Sequence, residues 1–294
     1  MHGKTETPDA GKPDVTVVIP ALDASSTLAV QLLALARQVD APPFSVIVVD
    51  NGSQDATAAV ALSCNSDQLS VSVVHEPNRG INRARNAGIE AASGSTILLC
   101  DADDRVGDAW VRELAANVSD HTWAVGCALV VPRPGQPIEP LWRHGQLIRP
   151  DCKEPYFDNT LGGSCGFSKA MWRHIGGFNP QLNGPGDEHE FFMRAHGSGY
   201  RPVVVDAAVI EYVRPSERHI WLRLQYTKGV HNSIAARAEG GTALRLICRP
   251  ATVIRLMLRT VLSTPRYIRN SEDRWRWLGR LNMLTGRLVG WIRY

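Results

Sequence analysis

Nowhere in the chain do eighteen apolar residues follow one another, so no segment is expected to cross a bilayer as a helix. The stretch from Met1 to Asp14 is polar and lacks the apolar centre of a secretory signal. A disordered leader (residues 1–14) and a cytosolic protein are therefore expected. The six cysteines (Cys64, Cys100, Cys127, Cys152, Cys165 and Cys248) form no Cys-X-X-Cys pair, and none has a His partner at zinc spacing. Scattered thiols of this kind fit a reducing compartment and argue against a disulfide framework. Internal repeats are missing, and so is low-complexity sequence beyond the leader. No Gly- and Lys-rich phosphate loop follows the first predicted strand; Pro20-Ala21-Leu22-Asp23 stands there instead, which disfavours nucleotidyl transfer. No nucleic-acid motif accompanies the arginines, so no nucleic-acid partner is expected.

What is present is a 294-residue chain, 44% hydrophobic and 21% charged, long enough to bury a large core. The net charge of +3 conceals an asymmetry. Residues 1–214 carry 17 Lys/Arg against 25 Asp/Glu, and residues 215–294 carry 15 against 4. An acidic body with a basic tail suggests an anionic partner for the tail.

Short β-branched runs alternate with helical periodicity over the first hundred residues. Strands are predicted at Val15–Ile19, Ser45–Val49, Val71–His75 and Thr96–Cys100. Helices are predicted after Ser25 and Ser26, which could cap the first, then over about 56–62 and 81–92. Such alternation builds a parallel sheet covered by helices, with the strand ends gathered on one ligand-binding edge. Asp23, Asp50 and Asp101 all follow strand ends, which puts three carboxylates on that rim. Asp55 and Asp108 fit better as turn and cap residues. A further strand is predicted over 124–131, a long loop over 132–155, and three helical segments from Ser216 onward.

Asp101-Ala102-Asp103-Asp104 follows the apolar strand Ile97-Leu98-Leu99-Cys100 directly. Carboxylates at i and i+2 past a strand end can reach a common point beyond the sheet edge. Hard oxygens with few other protein ligands suit Mg²⁺ or Mn²⁺, which would stabilise charge growing on a leaving diphosphate. A bare acidic turn is the plainer alternative, but three carboxylates in four residues repel one another without a cation.

The surroundings of that motif sharpen its meaning. Val17-Val18-Ile19-Pro20-Ala21, Val48 to Asp55, Asn78-Arg79-Gly80 with Ala84-Arg85-Asn86-Ala87-Gly88, and the acidic stretch resemble, in order and spacing, the family 2 glycosyltransferases. The likeness continues through Gly162-Gly163-Ser164-Cys165-Gly166-Phe167 and Ile175-Gly176-Gly177-Phe178. It implies the GT-A fold, an α/β nucleotide-binding domain with a mostly parallel, Rossmann-like sheet. The catalytic domain would span 15–214, its nucleotide-binding half ending at 104, with a basic helical extension at 215–294.

The resemblance also implies roles. Asp50 would accept a hydrogen bond from the imide nitrogen of uracil or thymine, pointing to a UDP- or dTDP-sugar. Pro20, Ala21 and Asp23 would line base and ribose. Arg85 would face the nucleotide or its phosphates, while Arg83 could equally be a solvated surface residue. Asp101 would touch ribose and the metal shell, and Asp103 would ligate the metal. Gly162 and Gly163 would let the backbone approach the donor sugar. At Asp187-Glu188-His189-Glu190 the family's usual Glu-Asp order is inverted, so Glu188 takes the position of the base, with Asp187 and His189 as competitors and Glu190 on the acceptor side. All of these could instead be helix N-terminal residues favoured by the macrodipole. A His that relatives place later as a ligand is replaced here by the neighbourhood of Glu211 and Arg214; either could serve, or both could be strand-surface residues.

The acceptor implied is a hydroxyl of a glycan, glycolipid or polyprenyl-linked intermediate. A non-catalytic nucleotide-sugar-binding or scaffold protein is the alternative, motivated by the inverted acidic pair and the missing His. In the tail, Arg245, Arg249, Arg255 and Arg259 share a helical face, and a second helix near 275–291 mixes Arg with Trp and Leu. Basic helices with Trp belts suit the interface of an anionic membrane, which would make the protein peripheral at its inner face; docking on the catalytic domain is the other outcome.

Overall fold

The computed structural model of the chain describes residues 14–131, 147–150, 162–184, 186–213, 218–238, 248–263 and 271–293. Its first half alternates β1 (Val15–Ala21), α1 (Leu28–Ala36), β2 (Phe44–Asp50), α2 (Thr57–Ser63), β3 (Ser70–His75), α3 (Ile81–Ala91) and β4 (Thr96–Cys100). The second half runs β5 (Arg105–Val106), α4 (Trp110–Ala116), β6 (Thr122–Val131), β7 (Leu147–Ile148), β8 (Ser164–Ser168), α5 (Lys169–Ile175), α6 (Asp187–Gly197) and β9 (Arg201–Val213). All nine strands form one sheet in the order β3-β2-β1-β4-β8-β6-β9-β5, with β7 beside β6. The first four are mutually parallel, β8 enters antiparallel, and β6 pairs parallel with β9.

Strand alternation divides the core between the two faces of the sheet. Val17, Ile19, Leu98 and Cys100 pack on one side with Leu28, Leu32 and Leu35 of α1 and Trp110 of α4. Val18, Ile97 and Leu99 pack on the other with Ala84 and Ile89 of α3 and with Phe167, Phe178, Phe191 and Phe192. This aromatic cluster fixes α6: the ring centroids of Phe178 and Phe191 lie 4.1 Å apart, and Trp123 stacks on Phe192 at 5.4 Å. Burying four phenylalanines contributes roughly 1.5–3 kcal/mol each, so the polar head of α6 is mounted on a stiff base.

Two expectations are corrected. Neither Ser25 nor Ser26 caps α1. Thr27 stands at that position, and the Ser25 amide donates instead to Asp55 Oδ2 at 3.0 Å. The predicted loop over 132–155 contains β7, which pairs antiparallel with Ala128 and Leu129 of β6; residues 132–146 and 151–155 lie outside the described residues. The five described cysteines are free thiols.

Among the described residues, three helices follow the sheet: α7 (Arg218–Ala238), α8 (Pro250–Leu262) and α9 (Ser271–Arg293). No helix of the described residues is long and apolar enough to cross a membrane. Helix α9 lies along α7 at backbone contact, where a Cβ on Gly286 would run into Tyr226 O and one on Gly229 into Met283 O. Ser233 Oγ donates to Arg287 O at 2.7 Å across the same seam. The predicted Trp belt is largely taken up inside the tail. Trp277 Nε1 donates to Thr260 O of α8 at 2.8 Å, and Arg237 lies over the Trp291 ring at 5.7 Å.

Candidate active site

The C-terminal ends of β1, β2 and β4 open onto a cleft of about 1270 Å³. Pro20, Ala21 and Asp23 line it after β1, Asn51 after β2, Arg79 to Ile81 at the start of α3, and Asp101 to Arg105 after β4. The rim is held by side chains that reach across it. Asn51 donates from Nδ2 to Glu76 O (3.0 Å) and Asn78 O (2.8 Å), and its Oδ1 accepts from the Gly80 amide (2.7 Å). Asp23 adopts a left-handed backbone (φ 50°) and accepts from the Gln54 amide at 2.7 Å.

Asp50 is buried just behind this wall. Its Oδ1 accepts from the Ser53 amide at 2.9 Å, and its Oδ2 lies 3.3 Å from His75 Nδ1. Burial works against its charge, but the Ser53 hydrogen bonds and His75 prevail and hold its pKa below the usual carboxylate range. It therefore stays an anionic acceptor.

The acidic turn after β4 is anchored from beneath by a residue that sequence reasoning missed. Gln31, fully buried on the inner face of α1, donates from Nε2 to Asp101 O (3.1 Å) and accepts at Oε1 from the Val106 amide (2.9 Å). A lone glutamine among Leu28, Leu32 and Leu35 on an apolar helix face was the available signal. Gly163 packs so closely on Asp101 that a Cβ there would collide with its carboxylate. Burial first, then the neighbouring Asp103 and Asp187, push the Asp101 pKa up, against the pull of Arg85.

Arg85 is not among the residues that line the cleft. It is buried, donates from Nη1 to Asp187 Oδ1 (2.9 Å) and Asn82 Oδ1 (3.0 Å), and stands 4.0 Å from Asp101 Oδ1. Burial alone would weaken its proton affinity, but Asp187, Asp101 and Glu188 together raise its pKa. It is the hub of an acidic cluster. Asn86, from the same motif, is structural: it bonds both the amide and the carbonyl of Phe178 and accepts from Trp172 Nε1.

At the head of α6 the four acidic and imidazole candidates separate. Asp187 is engaged by Arg85 and, at Oδ2, by the Gly184 amide (3.1 Å). Glu188 turns toward Gly162, where a Cβ would stand 2.9 Å from Glu188 Cγ and 3.0 Å from Arg85 Nη2. Burial and the adjacent Asp187 raise the Glu188 pKa well above the ordinary 4.5, with Arg85 pulling the other way. His189 is buried. Glu190 is buried too and forms a two-pronged pair with Arg194 (2.7 and 2.8 Å), whose guanidinium also bonds Gly177 O. That pair ties α6 to the Gly176-Gly177 turn. Glu211 lines the cleft but is paired through both oxygens with Arg105. Arg214 lies outside the described residues.

The donor set fits a divalent cation that brings most of its own ligands. Asp101 and Asp103 both line the cleft, yet among the described residues no three His, Cys, Asp or Glu side chains converge as a complete metal site. Two hard carboxylates beside an open cleft match Mg²⁺ or Mn²⁺, which fill their shells from water and phosphate oxygens. The close approach of Gly163 to Asp101 orients that carboxylate without any side chain in the way.

Known proteins resemble the chain in sequence and in fold. The family described as Glycosyl transferase family 2 matches residues 16–176. Among curated proteins, the glycosyltransferase AglE of Haloferax volcanii is 32% identical over 110 residues, 36% of this chain and 36% of its own. The succinoglycan biosynthesis protein ExoO of Rhizobium meliloti is 37% identical over 94 residues, 32% of this chain and 26% of its own. The chain thus spans about a third of the length of the curated relatives it matches. Among solved structures, the mannosyltransferase PcManGT from Pyrobaculum calidifontis, in complex with GDP-Man and Mn²⁺, superposes with a TM-score of 0.62 at 19% identity, covering 98% of this chain and 89% of that one. TarS 1-349 of S. aureus, in complex with UDP, superposes with a TM-score of 0.54 at 16% identity, covering 93% and 90%. The shared architecture is the GT-A fold.

Proposed function

Because the chain belongs to glycosyl transferase family 2, we propose that it transfers a sugar, with inversion, from a UDP- or dTDP-sugar to an acceptor hydroxyl. The observation that carries the reading is the division of labour at the head of α6. Asp187 is fixed by Arg85 and the Gly184 amide, which leaves Glu188 beside Gly162 as the proton acceptor. In the proposed step Glu188 takes the acceptor's proton, the hydroxyl oxygen bonds to the anomeric carbon, and the bond from that carbon to the diphosphate breaks. Asp103 and Asp101 would hold Mn²⁺ or Mg²⁺, which supplies charge stabilisation for the departing diphosphate. Asp50, kept anionic, suits the imide hydrogen of a uracil or thymine, and Pro20, Ala21 and Asp23 offer the walls for base and ribose. The neighbour TarS was solved with UDP, and PcManGT with GDP-Man and Mn²⁺.

The acceptor proposed is a glycan, glycolipid or polyprenyl-linked intermediate, and a lipid-linked one would bring the reaction to the inner face of a membrane. A thermal-shift series with UDP-, dTDP- and GDP-sugars, with and without Mn²⁺, tests the donor. Stabilisation of roughly 2.7 kcal/mol is expected at a hundredfold excess over Kd. GDP-sugars acting alone would overturn the assignment to Asp50. Asp103→Asn is expected to cut turnover at least about 100-fold and abolish the Mn²⁺ dependence of donor binding; full activity in that variant ends the metal assignment.

A further inference from the structure

Helix α8 carries apolar residues on its outer side as well as on the side that packs. Val253 and Thr260 face inward and are buried, and Thr260 O accepts from Trp277 of α9. Facing outward are Ile254, Leu258 and Leu262, with 47%, 59% and 80% of their surface exposed. These positions are spaced i, i+4 and i+8, so they form one line along a helix about 20 Å long. Arg255 and Arg259 are exposed one position further round, and Pro250–Leu262 contains no acidic residue. A soluble helix normally buries such a stripe and exposes the charges. Contiguous exposed apolar residues mark an interaction surface.

We propose that the outer face of α8 docks on an anionic lipid bilayer, with Ile254, Leu258 and Leu262 in the acyl boundary and Arg255 and Arg259 against lipid phosphates. Charge selects this occupant over a second copy of the chain. A two-fold pairing of α8 with itself would set arginines of both copies along the same apolar line, with no carboxylate on either helix to meet them. A bilayer bearing phosphates supplies the opposite charge along the whole helix. The face assigned is that of α8, not the Trp-bearing α9, whose Trp277 and Trp291 are engaged within the tail. The inference does not depend on the sugar-transfer reading, since lipid binding is measured without substrates.

The test is co-sedimentation of the full chain with vesicles of phosphatidylcholine alone and of phosphatidylcholine mixed with phosphatidylglycerol. Wild-type protein is expected to pellet with the anionic vesicles and largely escape the neutral ones. Arg255→Gln with Arg259→Gln should weaken anionic binding about 30-fold, and Leu258→Ser with Leu262→Ser roughly 100-fold. All four side chains are exposed, so melting temperatures should hold; if the leucine pair misfolds, the arginine pair still decides. Wild-type protein left in the supernatant, variants that bind as wild type, or equal binding to both vesicle types overturns the proposal. So does a dimer in solution that the leucine pair disperses, which would name the second copy as occupant. A chain that transfers sugar but ignores vesicles loses this inference and keeps the proposed function.

Discussion

Asp187 commits both oxygens to protein donors, while Glu188, one residue on, shares its surroundings but not those bonds. Burial and the anion beside it hold the Glu188 proton more tightly in the folded chain than in the unfolded one. As pH rises past the ordinary carboxylate range, the unfolded chain releases that proton first, so Glu188 lowers stability from about pH 4.5 up to its folded pKa. Glu188→Gln is therefore expected to raise Tm by roughly 2–6 °C at pH 8, to leave it unchanged below pH 4, and to reduce turnover by roughly 10²–10⁴-fold. A variant that keeps full turnover removes Glu188 as base; one that melts earlier at pH 8 contradicts the burial argument. Arg85 opposes the same rise in pKa. In Arg85→Gln the rising limb of the pH–rate profile should move to higher pH, and the chain should lose about 3–5 kcal/mol because Asp187 is left buried without its counter-ion. An unmoved limb in a folded Arg85→Gln protein would show that the guanidinium does not act on the base.

Among elements, α1 shows how a buried polar side chain can govern a distant turn. Gln31 satisfies Asp101 O and the Val106 amide from a wholly apolar face. Gln31→Leu keeps the volume and leaves both backbone groups unpaired, so it is expected to cost roughly 1–3 kcal/mol. The loosened turn should also weaken Mn²⁺ binding in calorimetry, even though Gln31 touches no ligand position. Unchanged Mn²⁺ affinity would mean that the turn holds its shape unaided. The elements themselves were legible in the sequence where one periodicity ran uninterrupted between turn residues. Strands β1 to β4 and helices α2 and α3 lie within one or two residues of their predicted limits. Hidden were features set by partners far along the chain. Arg85 meets Asp187 across 102 positions, and nothing local to Ala84-Arg85-Asn86 tells a buried hub from a phosphate-facing cation. The two-residue β7 is too short to show alternation and exists only because β6 offers it an edge.

For the whole molecule, α7 lies between the loop that leads into α6 and helix α9. One of its faces meets the approach to α6, with Gly184 near Thr227 and Gly186 near Lys228; the other meets α9 at the glycine seam. Basic composition in the tail was visible from sequence, but which residues turn inward was not, because Gly229 and Gly286 matter only once the two helices touch. At that seam a side chain cannot be absorbed by rotamer change, since the obstructing atom at Gly286 is the Tyr226 carbonyl. Gly286→Val must push α9 off α7 or distort both, at a cost of roughly 1–3 kcal/mol. The expected result is a Tm lowered by roughly 2–10 °C, together with weaker donor binding if the displaced α7 drags Gly186 and the head of α6 with it. Gly286→Ala should show the same effects to a lesser degree. Should Gly286→Val lower Tm while donor affinity stays at the wild-type value, the tail stabilises itself without setting the site; an unchanged Tm would contradict the helix contact itself.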